Sequence, residues 1–133
     1  MITDALGDFL TRIRNAQLRS RKSIDVPSTK IVESVAKILK KEGFVGDVSV
    51  INSDKNKLEK TIQVQLKYTN GQPAIRKLIR ISKPGVRVYV GYRNIPRVLN
   101  GLGIIIVTTS KGLMTGEEAK KAKIGGEFLC KIW

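Results

Sequence analysis

The sequence predicts an α+β chain in two small domains, and three observations carry that expectation. Apolar residues recur at helical spacing through the N-terminal third, the period falls to two from Phe44 onward, and an Asn70-Gly71 turn followed by Pro73 separates two unlike halves. The first half, 1–70, reads as two helices on a short sheet. The second, 71–133, reads as mostly strands with a short helix.

Leu6, Phe9, Leu10 and Ile13 mark one helix over 5–20, with Asp4 as its N-cap and Asp8 four residues before Arg12. Its opposite stripe holds Arg12, Asn15 and Arg19, with Arg14 beside them; such a stripe is either a solvated face or a binding face. Ile24 and Val26 alternate as a short strand ended by Pro27. Ser28 is placed to cap a second helix with the apolar stripe Ile31, Val35, Ile38 and Leu39, closed at Gly43. Backbone N–H groups at the start of that helix, over Ser28 to Ile31 and beside Lys30, suit a phosphate. Alternation at Val48 and Val50, then at Ile62, Val64, Leu66 and Tyr68, predicts a strand pair separated by a charged loop from Asn52 to Lys60. In the second half, strands are expected at 74–82, 86–90, 104–108 and 127–132, and Thr115 to Glu118 reads as a capping box that starts a helix.

Charge narrows the class of partner. The chain has 25 Lys and Arg against 11 Asp and Glu in 133 residues, a net +14, well beyond what solubility asks of a small domain. Neutralising phosphates releases condensed counterions, so a polyanion, and nucleic acid first, is the expected partner. No run approaches the roughly eighteen apolar residues of a membrane span, and the start Met1-Ile2-Thr3-Asp4 lacks a basic-then-apolar leader pattern. The chain is therefore expected to stay in the compartment where it is made, without a membrane partner.

Enzyme chemistry finds little support. There is no histidine, so the single cysteine, Cys130, has no imidazole to activate it, and Ser–His–Asp or Cys–His sites are excluded. Zinc would need more Cys or His, and Gly101-Leu102-Gly103 precedes a strand where a dinucleotide loop would follow one. Neither a cofactor, a metal nor a small-molecule substrate is expected.

Binding chemistry is richer. Along Val86-Arg87-Val88-Tyr89-Val90 the valines take one face, while Arg87 and Tyr89 share the other, where a base can stack; a cross-strand packing pair would look the same. Ser82-Lys83-Pro84-Gly85 reads as a tight turn exposing Lys83. The apolar run Ile104-Ile105-Ile106-Val107 reads as a strand covered on both faces, and it stops at Thr108-Thr109-Ser110-Lys111-Gly112. Three hydroxyls and an ammonium on such a turn suit phosphate, ribose 2′-OH and base edges, although ordinary Ser/Thr turns share the pattern.

The segment Gly101 to Ala119, GLGIIIVTTSKGLMTGEEA, resembles the signature of bacterial-type small-subunit ribosomal protein family eight. The resemblance extends to DFLTRIRNA (Asp8 to Ala16), SKPGVRVY (Ser82 to Tyr89) and GGEFLCKIW (Gly125 to Trp133). It implies a two-domain α+β protein of the small ribosomal subunit. Such a protein binds the central domain of small-subunit ribosomal RNA early in assembly, sits among neighbouring small-subunit proteins and, in some bacteria, represses its own messenger. It places the hydroxyl turn on Thr108, Thr109 and Ser110, and companion RNA contacts near Tyr89 and Lys30. It implies a place in the ribosome of the cytoplasm, with an organellar ribosome left open as the alternative. Thr108 stands where the family often has serine, Phe9 where methionine is frequent, and Lys131 where an uncharged or acidic residue is common; the first keeps its hydroxyl. Two rivals remain open: a basic DNA-binding protein, and an RNA-processing enzyme with carboxylate-held magnesium.

Overall fold

A computed structural model of the chain describes residues 4–53, 56–98 and 102–133. The described residues up to Ile75 form one compact unit and those from Arg76 to Trp133 another. The α+β expectation is borne out.

In the first unit, helix α1 runs over Ala5–Leu18, started by the Asp4 carboxylate, which accepts from Gly7 N–H at 3.1 Å. Leu6, Phe9, Leu10, Ile13 and Ala16 are its buried stripe. The helix stops two residues short of the expected end because Ser20 turns into the left-handed region at φ 52. Strand β1 (Ser23–Pro27) leads to helix α2 (Lys30–Lys41), then to β2 (Val45–Ser53) and β3 (Asn56–Leu66). The sheet order is β1-β3-β2, antiparallel throughout, with Ile62 and Val64 of β3 wholly buried.

Two expectations need correction here. The cap of α2 is Thr29, whose Oγ1 accepts from Val32 N–H at 3.2 Å; Ser28 instead donates its N–H to the carbonyl of Lys60 at 2.8 Å, tying the helix start to β3. Both are hydroxyl residues at a helix start, and this cross-strand bond decides between them. The charged loop 52–60 is largely strand: β2 reaches Ser53, β3 begins at Asn56, and Asn52 pairs with Lys60. A backbone ladder can continue past its last apolar pair, which is why alternation of side chains did not reveal it. Beyond β3, β4 (Tyr68–Thr69) and β5 (Gln72–Pro73) flank Asn70-Gly71, whose φ values of 52 and 78 are those that a tight hairpin demands.

The second unit is organised by its last strand. Strands β6 (Leu78–Arg80) and β7 (Tyr89–Val90), a short 3₁₀ turn at Tyr92–Asn94, β8 (Ile104–Thr109), β9 (Gly112–Thr115), helix α3 (Gly116–Ala122) and β10 (Gly126–Ile132) follow in order. The sheet runs β6-β10-β8-β9, and β7 joins the same edge of β10 as β6. A bulge at Leu129 interrupts the β10–β8 ladder; on the β6/β7 edge the Leu129 carbonyl takes the N–H groups of both Ile81 and Ser82, after which the chain leaves the sheet before returning as β7. Ile105, Ile106 and Val107 are all buried, so β8 is covered on both faces as expected. Ile105, Val107, Ala119 of α3, Phe128 and Ile95 form a core cluster, with Val88, Val90 and Met114 packed against it. The expected strand 74–82 shortens to three residues, and 86–90 shortens to two. Strand β9 was missed because its four residues share a stretch with the turn and the helix cap.

The glycine at 126 is required by closeness. A Cβ there would overlap the carbonyl of Thr108, whereas one on Gly91 would meet nothing within 4 Å, at an ordinary φ of −76. Gly126→Ala should therefore destabilise the second unit by about 1–3 kcal/mol, read as a lower denaturant midpoint, while Gly91→Ala should leave the midpoint nearly unchanged.

Candidate nucleic-acid interface

The edges of β10 place one row of side chains. Glu127 of β10 faces Tyr89 of β7 on one side and Thr108 of β8 on the other, and Thr108 in turn faces Leu113 of β9. Directly opposed residues project to one face, so Tyr89, Glu127, Thr108 and Leu113 share a surface opposite the core cluster. With neighbouring strands about 4.8 Å apart, Tyr89 and Thr108 stand roughly 10 Å from each other across Glu127. Tyr89 is 72% exposed, a ring left open to a stacking partner.

The hydroxyl turn closes β8 onto β9 through Ser110 and Lys111. Gly112, at φ 108, adopts the backbone that a side chain would resist. The three hydroxyls are not equivalent. Thr109 Oγ1 donates to the Gly112 carbonyl at 2.9 Å and accepts from Lys111 N–H at 3.1 Å, so it shapes the turn. Ser110 and Lys111 are exposed at the tip, and Thr108 is half-buried in the row. The sequence treated the hydroxyls as a uniform row; the structure divides them into one that builds the loop and others facing outward.

Upstream, Pro84 and Gly85 (φ 84) occupy the centre of a turn closed by reciprocal backbone bonds between Lys83 and Val86, at 3.0 and 2.9 Å, and Lys83 is exposed as expected. The expectation for 86–90 holds for Val88 and Val90 but not for Val86, which is 65% exposed because it belongs to this turn. Arg87 is not a lone cation. Its Nη1 lies 3.0 Å from the Glu127 carboxylate, and the same oxygen accepts from the hydroxyl of Ser82. Ser82 is fully buried; its Oγ also accepts from Val88 N–H at 3.1 Å, and its carbonyl accepts from Arg80 Nε at 2.7 Å. Burial by itself would raise the Glu127 carboxyl, but hydrogen bonds from Ser82 and Arg87, then the charges of Arg87 and Arg80, outweigh it and hold the group below its ordinary range. Cys130, by contrast, is buried and its thiol is pushed up to about 12, which leaves it a protonated, unreactive packing residue.

Arg80, Ser82 and Glu127 are participants that sequence reasoning missed. One signal was present: Glu127 is the single carboxylate in a final strand that is otherwise apolar or basic, in a chain of net +14.

The remaining expected residues lie in the first unit. Arg12, Asn15 and Arg19 do come together, lining with Arg21 an open cleft of about 290 Å³ between α1 and β1. Arg12 is itself held, by Asp8 at 3.0 Å and by the carbonyl of Asp25 at 3.0 Å. Lys30 is exposed at the first turn of α2, and Ser28 is half-buried just before it.

The sign of the Glu127 shift fixes a pH dependence. A carboxylate whose pKa is depressed by folding contributes stability that is complete above its unfolded value, near 4.5, and is lost as pH falls through the lower folded value. Acid unfolding followed by circular dichroism should show Glu127→Gln less sensitive to pH than the parent below about 4.5, the two having parallel profiles from pH 5 to 8.

Comparison with known proteins identifies the scaffold. The family model described as Ribosomal protein S8 matches residues 4–133. Among curated relatives, the small ribosomal subunit protein uS8 of Nitratidesulfovibrio vulgaris (strain Miyazaki F) is 50% identical over 133 residues, covering all of both chains. The protein of the same name from Desulfovibrio desulfuricans is 52% identical over 133 residues, again covering both entirely. That of Streptococcus agalactiae serotype V is 52% identical over 134 residues, all of this chain and 99% of the relative. These relatives bear the names of ribosomal proteins and not of enzymes. The resemblance drawn from residues 101–119 is borne out, and the chain belongs to the ribosomal protein S8 family.

Proposed function

We propose that the chain is a non-enzymatic structural constituent of the small ribosomal subunit that binds the central domain of small-subunit ribosomal RNA directly and supports assembly of the subunit. The observation that carries this reading is the row of Tyr89, Glu127 and Thr108, in which the Tyr89 ring is exposed and the other two are partly buried, ending beside a hydrogen-bonded hydroxyl turn on a strand whose centre is buried. Such a surface offers a ring for an unstacked base, together with donors and acceptors for base edges and 2′-OH groups; unstacked bases and 2′-OH groups are features that irregular RNA presents and duplex DNA does not.

Phosphates position and the turn specifies. Ser110 and Thr108 make the discriminating contacts, with Thr109, Lys111 and Gly112 holding the loop in shape. Tyr89 stacks, with Arg87 beside it. Lys83 contacts phosphate from its own turn. In the first unit, Arg12 and Asn15 with their cleft, and Lys30 with Ser28 at the start of α2, supply further backbone contacts. In the assembled subunit the chain sits among neighbouring small-subunit proteins, in the ribosome of the cytoplasm or of an organelle. Repression of its own messenger would use the same surface, wherever that messenger folds into the shape of the ribosomal site.

Binding measurements against a central-domain fragment separate the roles. Ser110→Ala should cost roughly 1–3 kcal/mol through unpaired partners, with the salt slope unchanged. Lys83→Ala should lower that slope by about one and weaken all nucleic acids alike. Unaltered affinity in Ser110→Ala would remove the turn from the site, and a preference of the parent for duplex DNA at matched salt would favour the DNA-binding rival.

A further inference from the structure

We infer that Ser82 and Glu127 are positioning residues that turn Arg87 from a general phosphate-binding cation into a group selective for RNA; this rests on the reading that the exposed face of the second unit takes RNA. An arginine at the edge of a sheet normally samples many rotamers and pairs with whatever anion arrives. Here its Nη1 is fixed at 3.0 Å from Glu127, and Glu127 is fixed in turn by the hydroxyl of Ser82, a residue with no exposure at all. Ser82 cannot swing away, because its Oγ holds Val88 N–H at 3.1 Å and its carbonyl holds Arg80 at 2.7 Å. Side-chain exposure grades along this chain of bonds, from 15% at Glu127 to 46% at Arg87, so the anchored end is dry and the working end is wet.

The electrostatic consequence is as important as the geometric one. The Arg87–Glu127 pair is neutral as a unit, so it adds little to the attraction that any phosphate backbone feels. A carboxylate in the middle of the row also repels a phosphate placed over Tyr89 or Thr108. The remaining N–H groups of Arg87, two residues before the exposed Tyr89, can meet a base edge or form a second stacking surface. Affinity for polyanions in general is thereby given up for preference among them.

The test compares the full-length parent, Glu127→Gln and Ser82→Ala, each against a central-domain ribosomal RNA fragment and a duplex DNA of equal length over a range of salt. Glu127→Gln keeps the shape of the side chain and releases Arg87. Its affinity for duplex DNA should rise, its salt slope should steepen by about one, and its preference for the RNA should fall roughly tenfold. Ser82→Ala should lose RNA preference to a similar degree with the salt slope unchanged, since the ion pair remains but is no longer held in place. Thermal unfolding of each variant checks that the fold is kept. Preference and slope both unchanged in Glu127→Gln would overturn the inference, as would equal losses on both nucleic acids, the mark of a merely structural pair. A parent that prefers neither nucleic acid would instead overturn the reading of the function, and this inference with it.

Discussion

The course of β10 sets the arrangement of the second unit. Strand β8 lies along one edge of it, with a bulge at Leu129, and its other edge is shared by β6 at Cys130–Ile132 and β7 at Gly126–Glu127; between them the Leu129 carbonyl takes the N–H groups of Ile81 and Ser82, where the chain leaves the sheet. That excursion carries Lys83 and Arg87 into solvent and returns Tyr89 beside Glu127. On the opposite edge, the absence of a side chain at Gly126 lets β10 close on Thr108, which aligns β8 and with it the hydroxyl turn. A shift of one residue in this strand would move Glu127 to the core face and Phe128 away from it, so the buried cluster around Phe128 and the hydrogen-bonded carboxylate of Glu127 on the opposite face favour a single register.

Much of this was legible in the residues, and what was not has physical causes. Helix α1 and the buried strand β8 announced themselves because their apolar spacing has one interpretation. The α2 cap was off by one because Ser28 and Thr29 both carry hydroxyls, and the deciding bond, from Ser28 N–H to Lys60, crosses to a distant strand. Within the loop predicted over 52–60, the described residues 52–53 and 56–60 are strand because backbone ladders need no apolar face. Val86 has the composition of a core residue, yet the turn at Pro84-Gly85 leaves it in solvent. At the candidate site, the turn and Tyr89 were visible as local motifs. The Ser82–Glu127–Arg87 bonds were not, since they join positions about forty residues apart, and spacing cannot report such contacts.

Charge explains less of the function than its size suggests. A net +14 draws the chain to any polyanion, and counterion release would reward all of them similarly. The candidate surface is different in kind: a tyrosine ring, threonine and serine hydroxyls, and an arginine already neutralised by a glutamate. On the proposed function, lysines and arginines elsewhere bring RNA close, and the nearly neutral row decides which RNA stays. Membership of the ribosomal protein S8 family gives this division a context, because a subunit component must choose one region of a long RNA in which every region carries the same backbone charge.

Nucleotide footprinting on the central domain of small-subunit ribosomal RNA, with and without the chain and at rising salt, tests this account most directly. It predicts one compact protected site at an irregular helix, including bases as well as backbone, that persists after diffuse protection elsewhere has been lost to salt. Protection spread along regular duplex stretches, confined to the backbone and fading uniformly with salt, would contradict it.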